Sequence, residues 1–117
     1  MLTDRQDSGI IETIKKTGIK GKLHIPPVQI DTSQLTIDWN HIDERNHDVT
    51  LEEAMSFIET ADISISKWNG QFENYYSVSG AAFINLKTNE IRTAFKADEY
   101  DDYVKKMMEV LEAWKKK

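Results

Sequence analysis

Apolar positions in this chain keep two different periods, and the switch between them falls near residue 62. Before it the spacing is helical. Ile10, Ile11 and Ile14 share one side of a turn between Gly9 and Thr17, with Lys15 and Lys16 in the last turn and Gly18 just beyond it, which predicts a helix over 9–17. Residues 1–8 are polar and are expected to be a flexible segment. Thr50 followed by Glu53 makes a capping box, and Leu51, Ala54, Met55 and Ile58 form one stripe, so a second helix should run to about Ala61. Between these, Leu23 to Ile30 is extended but broken by Pro26-Pro27, at most an edge strand. Thr32 to Asp38 alternates weakly, and 40–47 reads as a short helix or helical turn.

After residue 62 the period becomes two. Ile63, Ile65 and Lys67 alternate with Ser64, Ser66 and Trp68, and Asn69-Gly70 is a strong hairpin signal, because a tight two-residue turn needs positive φ at its centre. Tyr75 to Val78, Ala81 to Leu86 and Glu90 to Lys96 supply three more strands, with turns at Gly80 and Thr88-Asn89. The period then returns to helical: Asp98 is positioned to cap a helix whose stripe is Tyr100, Tyr103, Val104, Met107, Met108, Leu111 and Trp114. The predicted architecture is an α+β domain over 9–117: N-terminal helices, a four-stranded antiparallel meander, and a C-terminal amphipathic helix packed on the sheet.

Composition narrows the classes. At 117 residues, with 39% hydrophobic and 30% charged positions, the chain suits one soluble domain with a single core. No apolar stretch is long enough to span a membrane, and no signal peptide is visible. The absence of cysteine excludes disulfides and thiolate metal sites. A net charge of -5 weighs against loose polyanion binding, although Lys15, Lys16, Lys20 and Lys22 crowd the N-terminal third and leave room for a local basic groove.

The densest chemistry lies in His41-Ile42-Asp43-Glu44-Arg45-Asn46-His47, which holds two of the three histidines. Imidazole accepts and donates protons near neutrality, and an adjacent guanidinium can hold a phosphate, so His41, Arg45 and His47 are the parts of a metal-free phosphodiester-cleaving site. The plain alternative is a solvated polar helix with Glu44 and Arg45 in surface pairs. His41, Asp43, His47 and Asp48 are metal-ligand types, but their spacing matches no zinc pattern. In the last strand, alternation sends Arg92, Ala94 and Lys96 one way and Ile91, Thr93 and Phe95 the other, with Ile91 and Phe95 toward the core and Thr93 as a hydroxyl among them. Arg92 and Lys96 could track a phosphate or simply be solvated. Trp68, Phe72, Tyr75 and Tyr76 could stack bases, or pack across strands. The Met107, Met108 and Trp114 stripe reads as core packing or a protomer contact.

Taken in order, the lysine-rich lead-in, the Pro-containing extended segment, His-Ile-x-x-Arg-x-His at 41–47, the capped helix, the strand-rich half and Ile-x-Thr-Ala-Phe at 91–95 resemble the phage-associated branch of the barnase–EndoU–colicin–RelE nuclease superfamily. Such modules occur at the C-terminal end of phage minor head (head morphogenesis) proteins. The resemblance spans roughly residues 19–112. It implies a compact RNase-like fold, a metal-independent endoribonuclease needing no cofactor, an RNA substrate, and phage head or portal proteins as partners, in the host bacterial cytoplasm or the virion. It places His41, Arg45, His47 and Thr93 in the catalytic site, with Lys96, Tyr76 and Arg92 able to reach substrate. Because fold does not fix function, two other readings stand beside it: an inactive structural or protein-binding module of the virion, and an immunity-like partner that binds a basic toxin through its acidic faces.

Overall fold

The capping box forms as its sequence predicts. In the computed structural model, which describes residues 2–37 and 49–116, Glu53 N–H donates to Thr50 Oγ1 at 3.1 Å and Thr50 N–H to Glu53 Oε1 at 3.2 Å, starting helix α2 (Leu51–Glu59). Its buried residues are Ala54, Phe57 and Ile58. Helix α1 (Leu2–Lys15) opens at Leu2 rather than Gly9, so residues 2–8 are helical backbone; once a turn is nucleated, each added residue gains a bond at little cost. Helix α3 (Asp102–Lys115) is capped by Asp101, whose Oδ1 accepts from Val104 N–H at 2.9 Å, while the expected cap Asp98 lies in a preceding 3-10 turn.

Among the described residues the fold is α+β, with three helices and a six-stranded mixed sheet. The strands are β1 (Lys22–His24), β2 (Thr36–Ile37), β3 (Ile63–Lys67), β4 (Phe72–Tyr76), β5 (Gly80–Asn85) and β6 (Glu90–Lys96), in the order β1-β3-β4-β5-β6-β2. A four-strand meander is its centre, as expected, but β4 spans Phe72–Tyr76 rather than Tyr75–Val78 and Gly80 opens β5 rather than forming a turn. Two short strands extend it: β1 runs antiparallel to β3, and β2 runs parallel to β6, which makes the sheet mixed. β1 falls at the start of the segment expected to be at most an edge strand and lies at the sheet's edge, whereas the two-residue β2 carries too few positions to display a period.

The β3–β4 register is centred on Asn69-Gly70, pairing Ser66 with Glu73 and Lys67 with Phe72. Positive φ at Trp68 (54°), Asn69 (56°) and Gly70 (89°) turns the chain there. Between β5 and β6 the register slips: Phe83 faces Thr93 but Ile84 faces Ile91, so Arg92 is an extra residue, a β-bulge. The bulge overturns the simple alternation expected for this strand. Ile91 and Ala94 lie together in the core under α2, and Thr93 projects to the other face with Phe83.

The chain divides into two compact units, Lys22–Glu99 and Met1–Gly21 with Tyr100–Lys117. In the first, α2 sits over β5 with further contacts to β4 and β6, and Phe57, Ile58 and Ala54 pack against Tyr75, Ala82, Ile84, Ile91 and Ala94. Gly80 permits this close approach. A Cβ there would lie 2.5 Å from the Phe57 ring and 2.6 Å from the Phe95 carbonyl oxygen. In the second unit α1 contacts α3, with Ile10, Ile14, Val104, Met107, Met108 and Leu111 buried. Gly18, at φ 102°, closes α1 where a Cβ would meet the Tyr103 ring at 2.8 Å. Helix α2 packs on the sheet within its unit, and α3 pairs with α1 within its own; an amphipathic stripe identifies a buried face but not its partner. Among the described residues no helix is long and apolar enough to cross a membrane.

Candidate functional site

Cross-strand rows decide which side chains meet, because residues paired in register project to the same face. On the face away from α2, one row runs Leu23, Ile65, Asn74, Phe83, Thr93, and its neighbour begins with Lys67 and Phe72. Where these rows meet the bulge, a cavity of about 220 Å³ opens, lined by Lys67, Trp68, Phe72, Asn74, Arg92 and Thr93 among others. The bulge aims Arg92 at this cavity: its guanidinium carbon lies 4.7 Å from the centroid of the Phe72 ring, a cation–π contact that holds the charge in place. Thr93 is 4% exposed and its hydroxyl has no hydrogen-bond partner among the described residues. A buried hydroxyl left this way costs free energy unless a ligand or water completes it.

Trp68 stands at the rim, 77% exposed. Its φ of 54° is the left-handed region, where a bulky side chain is strained by about 1 kcal/mol or more. An exposed, strained tryptophan contributes little to folding and much available ring face.

Of the residues expected from the sequence, Thr93 and Arg92 come together here. Tyr76 is buried, its ring edge-on to Phe83 at 5.8 Å, and Lys96 is exposed beside Gly80 at the far end of β6; neither lines the cavity. His41, Arg45 and His47 lie outside the described residues, as do Asp43 and Asp48 of the weighed metal set.

The face toward α2 holds a second arrangement that the sequence reading missed. There the rows run Lys22, Ser66, Glu73, Ile84, Ile91 and His24, Ser64, Tyr75, Ala82, Ala94. The β1–β3–β4 part of this face is polar and hydrogen-bonded. Ser66 Oγ donates to Glu73 Oε1 at 2.5 Å, and His24 Nε2 lies 2.8 Å from Ser66 Oγ. Val28 is held at both backbone groups, its N–H donating to Ser64 Oγ at 3.0 Å and its carbonyl accepting from the Tyr75 hydroxyl at 2.7 Å. Burial, and then the negative charge of Glu73, push the Tyr75 phenol well above its ordinary range. A groove of about 610 Å³ runs past Lys22, His24, Ser66 and Glu73, with Val28 and Leu86 among its apolar walls. The available signal was the hairpin itself: a centre at Asn69-Gly70 necessarily places Ser66 opposite Glu73.

No family model, curated protein or solved structure matches this chain.

Proposed function

We propose that this chain is an RNase-like, RNA-binding domain of phage or prophage origin, a module of a minor head protein. The observation that carries the reading is the cavity at the β6 bulge. It combines two cations (Lys67 and Arg92), an exposed indole (Trp68), and a buried hydroxyl awaiting a partner (Thr93). One nucleotide calls for this set: charge for the phosphate, a ring face for the base, and a polar group to fix orientation. A local basic pocket also answers the objection raised by the net charge of -5.

In the catalytic part of the proposal, the ribose 2′-hydroxyl attacks the adjacent phosphate without metal or cofactor. One of His41 and His47 takes its proton, the other returns a proton to the leaving oxygen, and Arg45 holds the phosphate. His41→Ala and His47→Ala should each lower turnover by about a hundredfold or more with folding intact. Binding is tested separately, by fluorescence polarisation with a short single-stranded RNA. Arg92→Ala should weaken it by about tenfold. Failure of the parent to bind RNA contradicts the proposal and favours the second reading, an inactive structural or protein-binding module, for which the exposure of Trp68 on an acidic chain also argues.

A further inference from the structure

The groove along β1, β3 and β4 is separate from the cavity at the bulge and owes nothing to the RNA reading. Its floor holds Glu73, 1% exposed, whose Oε1 is engaged by Ser66 while Oε2 has no donor among the described residues. A carboxylate only accepts, so the single Ser66 proton is committed to Glu73. His24 Nε2, 2.8 Å from Ser66 Oγ, must then donate to that oxygen rather than accept from it. The unfilled acceptor Glu73 Oε2 is therefore the chemical signature of the groove.

We infer that this groove binds an organic cation carrying N–H donors, a guanidinium or primary ammonium group, seated on Glu73. An anion would meet the carboxylate, and a purely apolar ligand would leave it buried and unpaired. A lone carboxylate and a lone imidazole fall short of the ligand set of a zinc site. A guanidinium supplies donors in a planar fork that matches a carboxylate, and its methylene stem can lie along Val28 and Leu86. The volume of about 610 Å³ admits such a side chain with room to spare. Lys22, exposed at the rim, is the one cation among these lining residues and opposes the ligand.

The test is an amide and imidazole NMR titration of the full chain with ethylguanidinium chloride, and separately with the peptide acetyl-Gly-Arg-Gly-amide, against sodium chloride at equal ionic strength. The expected result is saturable shifts at His24, Ser66 and Glu73. Glu73→Gln should weaken the affinity by about tenfold, and Lys22→Glu, an exposed change that leaves the core untouched, should tighten it severalfold. Saturation by both probes supports a free cation as ligand; saturation by the peptide alone supports an arginine side chain from a protein partner. The inference is overturned if neither probe saturates, or if Glu73→Gln folds and binds as the parent does. Failure of Lys22→Glu to tighten binding overturns it as well, which keeps the test decisive should Glu73→Gln not fold.

Discussion

The two halves of the sheet face toward α2 are built by the same alternation and end in opposite states. Over β5 and β6 the inward positions are Ala82, Ile84, Ile91 and Ala94, and α2 covers them with Phe57 and Ile58. Over β1, β3 and β4 the same rows continue as His24, Ser64, Ser66 and Glu73, held by hydrogen bonds around an open groove. A single row passes from Lys22 through Ser66 and Glu73 to Ile84 and Ile91, from charge to dry core. The lesson is that strand period fixes which residues share a face, while residue chemistry along the row decides where a helix can settle. Burial without a partner favours the apolar half; the polar half is held by its hydrogen bonds, with Glu73 Oε2 left for a ligand to fill.

The largest expected effect comes from the dry half. Phe57→Ala removes the ring that fills the space over Gly80 and should cost about 3–5 kcal/mol, read as a lower denaturant midpoint. In the polar half, Ser66→Ala strips Glu73 of its one donor among the described residues and should cost about 1–3 kcal/mol. Adding Glu73→Leu to Ser66→Ala should recover much of that loss, because it removes the buried carboxylate left without its donor, while His24 loses only a half-buried contact. If the pair is as unstable as the single variant, the polar half is held by something other than this bond. Trp68→Gly should run the other way, raising stability by about 1 kcal/mol by releasing positive-φ strain while it weakens RNA binding. The smallest effect concerns pH. Tyr75 has a raised folded-state phenol pKa, so its contribution is present below the ordinary value of 10.0 and is lost as pH rises beyond it. Unfolding curves above pH 10 should therefore fall more steeply for the parent than for Tyr75→Phe.

Much of the fold was legible. The capping box, the hairpin centre and the four long strands each depend on local signals: Thr50 with Glu53, Asn69-Gly70, and alternation between turns. What escaped depends on partners far along the chain. The extra residue at Arg92 shows only against β5, and it inverts the predicted facing of Ile91 relative to Ala94. His24 meets Ser66 only because β1 pairs with β3, and a three-residue strand that ends just before two prolines announces no register. Of the candidate site, Thr93 and Arg92 line one cavity although strand alternation sends them to opposite faces; the bulge brings them together. Phe57, a buried ring of the core, lay outside the expected α2 stripe of Leu51, Ala54, Met55 and Ile58, of which Leu51 and Met55 are only half-buried.

The central claim, that the cavity at the β6 bulge receives a nucleotide, is tested most directly by mapping amide shifts during titration with a short single-stranded RNA. The account predicts saturable shifts concentrated at Lys67, Trp68, Asn74, Arg92 and Thr93, and reduced in Arg92→Ala. Absence of shifts, or shifts confined to α1 and α3, would contradict it.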